Sequence, residues 1–69
     1  MPLTLAALSE EYIIRRVGGS EEVRAHLQNL GFVPGGTVMV VSAISGNLIV
    51  NVKGTRVAVS KEMAQRIII

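Results

Sequence analysis

His26-Leu27-Gln28-Asn29-Leu30-Gly31-Phe32-Val33-Pro34-Gly35-Gly36 holds one helix end, one tight turn and the launch of a strand. Val23, Leu27 and Leu30 stand at i, i+4 and i+7, on one face of a helix. Gly31 follows the last of them, where glycine takes the left-handed conformation that closes a helix without a Cβ clash. Phe32 then occupies the position that folds back onto the last helical turn. In Val33-Pro34-Gly35-Gly36, proline presets φ at the second turn position and glycine accepts a positive φ at the third, which predicts a type II turn. Thr37-Val38-Met39-Val40-Val41 reads as a strand. A link this short makes the helix cap the mouth of a sheet.

Upstream of this joint, Ser20 is a good N-cap, and Glu21 and Glu22 lie where carboxylates meet the positive helix end. Val23 at the third position after the cap denies a full capping box. The helix is expected from Glu21 to Leu30, with Glu21, Arg24 and Gln28 on its polar face. Gly18-Gly19 ends a strand over Tyr12–Val17. Its alternation is imperfect: Ile13 and Val17 bracket Arg15 on one face, Tyr12 and Ile14 share the other with Arg16, and the inward face stays open. Thr4–Leu8 reads as a short edge strand, followed by a polar turn at Ser9-Glu10-Glu11.

Downstream, the strand Thr37–Ile44 is apolar on both faces, with Val38, Val40 and Ile44 on one and Met39, Val41 and Ala43 on the other. Such a strand is buried on both sides or lies at an interface. Ser45-Gly46-Asn47 predicts a hairpin turn. Leu48–Lys53 alternates, with Leu48, Val50 and Val52 inward and Asn51 and Lys53 outward. Gly54-Thr55 turns the chain again into a strand at Arg56–Val59. Ser60 caps a single helical turn, Lys61–Gln65, and Ile67–Ile69 finishes as a strand. The expected fold is therefore mainly β, with one short helix and one helical turn, arranged as a small barrel in one domain over residues 1–69. A barrel also removes open strand edges.

The 69 residues carry a net charge of +2 and a pI near 9.7. A chain this short buries only about 60% of its unfolded surface, so its core is small. Hydrophobic residues make up 49% and mean hydropathy is +0.49. Either the core is rich in Val and Ile, or apolar surface is covered by a partner or a second copy, as a homo-oligomer. There is no cysteine, hence no disulfide and no thiolate metal site. No apolar run approaches the ~18 residues of a membrane span, so no direct membrane insertion is expected. The start, Met1-Pro2-Leu3-Thr4-Leu5, lacks a signal-like pattern, which points to the cytoplasm.

Chemistry is sparse. His26 is the single histidine and there is no aspartate, so no triad with the usual acid can form. His26 and Glu22, at i and i+4, are a weak candidate metal pair. Metal sites converge three or four ligands, so no metal or other cofactor is expected beyond weak transition-metal contact at that pair. The glycines fit turns and none forms a phosphate loop. No catalytic residue emerges, and the expectation is not an enzyme. The cations Arg15, Arg16, Arg24, Lys53, Arg56, Lys61 and Arg66 are scattered. With Tyr12 and Phe32 the only aromatics, there is no base-stacking platform, and nucleic acid is not an expected partner. Lys53 and Arg56 flank a turn as a small basic edge that suits an acidic protein surface.

Several segments in this order resemble the FeoA family: Pro2-Leu3-Thr4, Gly18-Gly19, Leu27-Gln28-Asn29-Leu30-Gly31-Phe32-Val33-Pro34-Gly35 with its valine-rich strand, Gly54-Thr55-Arg56-Val57-Ala58-Val59 and Ala64-Gln65-Arg66-Ile67. The resemblance implies an SH3-like β-barrel. It also implies a cytoplasmic accessory protein of bacterial ferrous iron uptake, working with the cytoplasmic region of the membrane transporter FeoB. The same fold occurs as the C-terminal domain of iron- and manganese-dependent repressors, so a metal-dependent regulatory module is the alternative. The residues expected to carry a partner contact are Arg15, Arg24, His26, Met39, Lys53 and Arg56. Members of the family often carry arginine where this chain has His26, which would make a contact there weaker or pH-dependent.

Overall fold

Six strands, two helices and one 3-10 turn make up the computed structural model, which describes residues 1–69. The helix α1 spans Glu21–Asn29. Ser20 is its N-cap, and the Ser20 hydroxyl accepts from the Val23 amide at 3.2 Å. Ser20→Ala is expected to cost about 1 kcal/mol, seen as a lower denaturation midpoint in urea, because it strips one helix-start amide of its partner. Leu30 is the C-cap and Gly31 takes φ +109. The Phe32 amide donates to Leu27 O and the Gly31 amide to Gln28 O, both at 3.0 Å. This pair of bonds is the Schellman closure, and it satisfies two carbonyls the helix end would leave bare. The Gly36 amide donates to Val33 O at 3.0 Å, with Gly35 at φ +88, which is the expected proline-glycine turn.

The larger sheet has the strand order β1-β3-β4-β5, all antiparallel, with β1 at Glu11–Ile13, β3 at Thr37–Ile44, β4 at Asn47–Val52 and β5 at Thr55–Ser60. The smaller sheet pairs β2, Arg16–Val17, with β6, Ile67–Ile68. Ile68 also bridges Pro2. The Ile69 amide donates to Met1 O at 2.7 Å, so the first and last residues are tied to each other. Between β5 and β6 lies the four-residue α2, Lys61–Ala64, capped by the Ser60 hydroxyl accepting from Met63 N.

Three sequence expectations are corrected. Thr4–Leu8 is not an edge strand: Leu3–Leu5 forms a 3-10 turn that buries Leu3 and exposes Leu5 and Leu8. Tyr12–Val17 is not one flat strand but a bent one shared between two sheets. The Ile14 amide donates to Gly36 O, beside the larger sheet, and the Arg15 amide to Ile68 O, in the smaller one. The bend resets the alternation, so Ile14 and Val17 are both buried while Ile13 is 63% exposed. Within β3, Val40 faces Val50 but Ser42 faces Ile49, so Val41 is an extra residue. This β-bulge shifts the side-chain alternation by one. Ile44 therefore leaves the Val38–Val40 face and stands exposed.

The turns shift slightly. Ser45-Gly46 alone joins β3 to β4, with Asn47 already paired to Ile44. Lys53-Gly54, not Gly54-Thr55, joins β4 to β5, with φ +50 and +72. Positive φ at both positions is the type I′ hairpin turn, whose twist matches the strands. Lys53 is thus a turn residue rather than the end of a strand. The core gathers the inner face of the larger sheet (Val38, Val40, Leu48, Val50, Val52, Val59) around Ile14, Leu27, Phe32 and Ile67. It contains no buried polar side chain.

Candidate interaction surface

Residues directly opposite across a sheet share a face. Because Val38, Val40, Val50 and Val52 point inward, the row Glu11–Met39–Asn51–Arg56 points outward across all four strands. A second outward row is Ser42–Ile49–Ala58. The surface therefore mixes aliphatic side chains, Met39 and Ile49 half-buried and Ala58 exposed, with a carboxylate at the β1 edge and a guanidinium at the β5 edge.

The six partner candidates do not converge on one patch. Met39 and Arg56 share the outward row. Lys53 sits at the turn beside it, exposed, and its stem lies along the helix end: a Cβ on Gly31 would stand 3.5 Å from Lys53 Cδ. Arg24 and His26 are exposed on α1. Two residues apart on a helix, they point in different directions. Arg15 is exposed at the crossing between the two sheets, well separated in topology from β5.

His26 and Glu22 are both exposed, and no three His, Cys, Asp or Glu side chains anywhere in the protein come together as a metal-binding group. The surface has no pocket. No helix is long and apolar enough to cross a membrane.

Sequence reasoning passed over one feature of the charge pattern. No Asp or Glu occurs between Glu22 and Glu62, whereas Arg24, Lys53, Arg56 and Lys61 all fall in or beside that interval. The strands β3, β4 and β5 carry no negative charge, and around the edge strand β5 Lys53 stands in the turn before it, Arg56 on it and Lys61 directly after it. The run without acids is visible in the sequence. That β5 is an edge strand is not.

Comparison with known proteins places this architecture. The chain resembles a crystal structure of the iron uptake regulatory protein FeoA, with 28% identity and a TM-score of 0.89, over 97% of this chain and 91% of that one. It resembles the zinc-complexed FeoA of Stenotrophomonas maltophilia, described as a procaryotic SH3 domain protein, with 28% identity and a TM-score of 0.83, over 99% and 87% of the two chains. It also resembles zinc-bound ScaR, with 23% identity and a TM-score of 0.83. That likeness concerns the fold alone, and the chain spans about a third of ScaR, 34%. Curated proteins give no match. The barrel is SH3-like, as the FeoA neighbours are. The FeoA domain profile matches residues 1–69, from the Pro2 bridge through the Gly31 joint to the β6 closure, and the chain belongs to the FeoA domain family.

Proposed function

We propose that this protein is a non-enzymatic accessory factor of bacterial ferrous iron uptake, acting in the cytoplasm by binding the cytoplasmic region of a FeoB-type transporter and regulating it. The observation that carries the reading is the family match along the whole chain. The exposed aliphatic and basic surface of β3–β5 supports it, since protein partners are met by apolar contact at the centre and complementary charge around it. A repressor-like metal-responsive role shares only the fold with this reading, and no clustered ligand set in this chain favours it.

The test is calorimetric titration of the protein with the purified cytoplasmic region of the transporter, paired with ferrous uptake in cells lacking this protein. Saturable binding that weakens as salt rises is expected, with reduced uptake in the deletion. No heat of binding at any salt, together with normal uptake in the deletion, overturns the proposal.

A further inference from the structure

The strand β5 is bonded on one side only. Its neighbour is β4, and no backbone or side-chain group outside the sheet bonds to residues 55–59. Which groups are left free follows from the turn. A two-residue hairpin loop is flanked by a hydrogen-bonded pair, here Val52 and Thr55, and bonded and non-bonded pairs then alternate. Thr55, Val57 and Val59 therefore spend their backbone groups on β4. Arg56 and Ala58 turn their N–H and C=O groups to the open side. Both residues are exposed, and their side chains lie on the outward face.

We propose that β5 is a docking edge that accepts an extended acidic segment of a partner protein as an added strand. Such β-augmentation draws affinity from main-chain bonds and specificity from the flanking side chains. The charge around this edge selects the occupant. Arg56 stands on this edge, with Lys53 in the turn before it and Lys61 directly after it, and the nearest carboxylate in sequence is Glu62, past its far end. A segment carrying Asp or Glu beside Arg56 gains Coulomb energy. A second copy laid edge to edge brings two sets of three cations together. Centring such a pair on Arg56 sets guanidinium against guanidinium, and centring it on Val57 sets Lys53 against Lys61 at both ends. Cations on a free edge are also the usual device against self-pairing. This inference rests on the proposed partnership with the transporter's cytoplasmic region, and it specifies the mode of contact.

The experiment compares the protein and its A58P variant, each titrated with the transporter's cytoplasmic region, and follows amide hydrogen exchange of the unmodified protein with and without that region. Proline at an edge position whose N–H faces away from the sheet is compatible with the fold. The variant is expected to keep its thermal transition and to bind at least tenfold more weakly. In the free protein, the Arg56 and Ala58 amides are expected to exchange faster than those of Val57 and Val59. In the complex both are expected to slow at least tenfold. Binding by A58P at unchanged affinity overturns the docking edge while leaving the partnership intact. Absence of binding by the unmodified protein overturns the partnership itself. If A58P fails to fold, the exchange measurement decides: unchanged Arg56 and Ala58 amides in the complex overturn the proposal. Protection of those amides that rises with protein concentration alone assigns the edge to a second copy and also overturns it.

Discussion

Phe32→Ala is expected to lower the thermal midpoint by about 12–40 °C and to leave the cooperative unfolding transition barely resolved by circular dichroism. Phe32 is completely buried and is the largest of the fully buried side chains. Removing a buried phenylalanine costs roughly 3–5 kcal/mol, the lost burial plus the cavity left behind. A domain of this size has a total stability of only about 3–10 kcal/mol, so this one change removes about 30% of it or more. Collapse around the void is restricted, because Phe32 is anchored through its own amide to Leu27 O and sits in a closed turn between α1 and β3. Phe32→Leu, which keeps most of the volume, is expected to cost clearly less. A shift under about 5 °C for the alanine variant would contradict the role of Phe32 as the centre of the core.

Gly31→Val is the second large effect. A bare Cβ would meet Val52 Cγ2 and Lys53 Cδ at 3.5 Å, ordinary van der Waals contact, so the crowding comes only from valine's further methyl groups. The backbone is the first obstacle, since φ is +109 and a β-branched side chain is strained there. The cost is about 1–2 kcal/mol or more, a drop of roughly 4–16 °C. The chain can escape the strain only by opening the Phe32–Leu27 and Gly31–Gln28 bonds, which would also loosen Phe32. Gly31→Asn is expected to cost less, because asparagine tolerates positive φ better than valine. A valine variant that melts with the unmodified protein would show that the joint does not depend on this conformation.

The same joint shows how far the chain could be read before folding. Ser20, Gly31 and Pro34-Gly35 each act on neighbours within a few residues, and each has the role its chemistry predicts. Leu27 is fully buried as its helical spacing demands, while Leu30 on the same face is only partly covered. The FeoA resemblance, carried by these local segments, holds over the whole chain. The candidate surface was legible only in part. Met39 and Arg56 are brought into one row by a register that no local pattern contains, and Arg15, Arg24 and His26 lie elsewhere.

The sequence by itself determined the helix and its two caps, the glycine-proline joint, the sites of the hairpins to within a residue, and the family. Those features are set by backbone dihedral preferences and by hydrogen bonds spanning three to five residues. Only the tertiary structure decided that Tyr12–Val17 bends between two sheets, that Val41 bulges and turns Ile44 outward, and that β5 is left with an open edge. Each of these depends on which distant strand supplies the partner: Gly36 and Ile68 for the bend, Val50 and Ile49 for the bulge, β4 alone for the edge. Strand pairing is a contest among non-local partners with similar apolar patterns, and closing the barrel resolves it in one way.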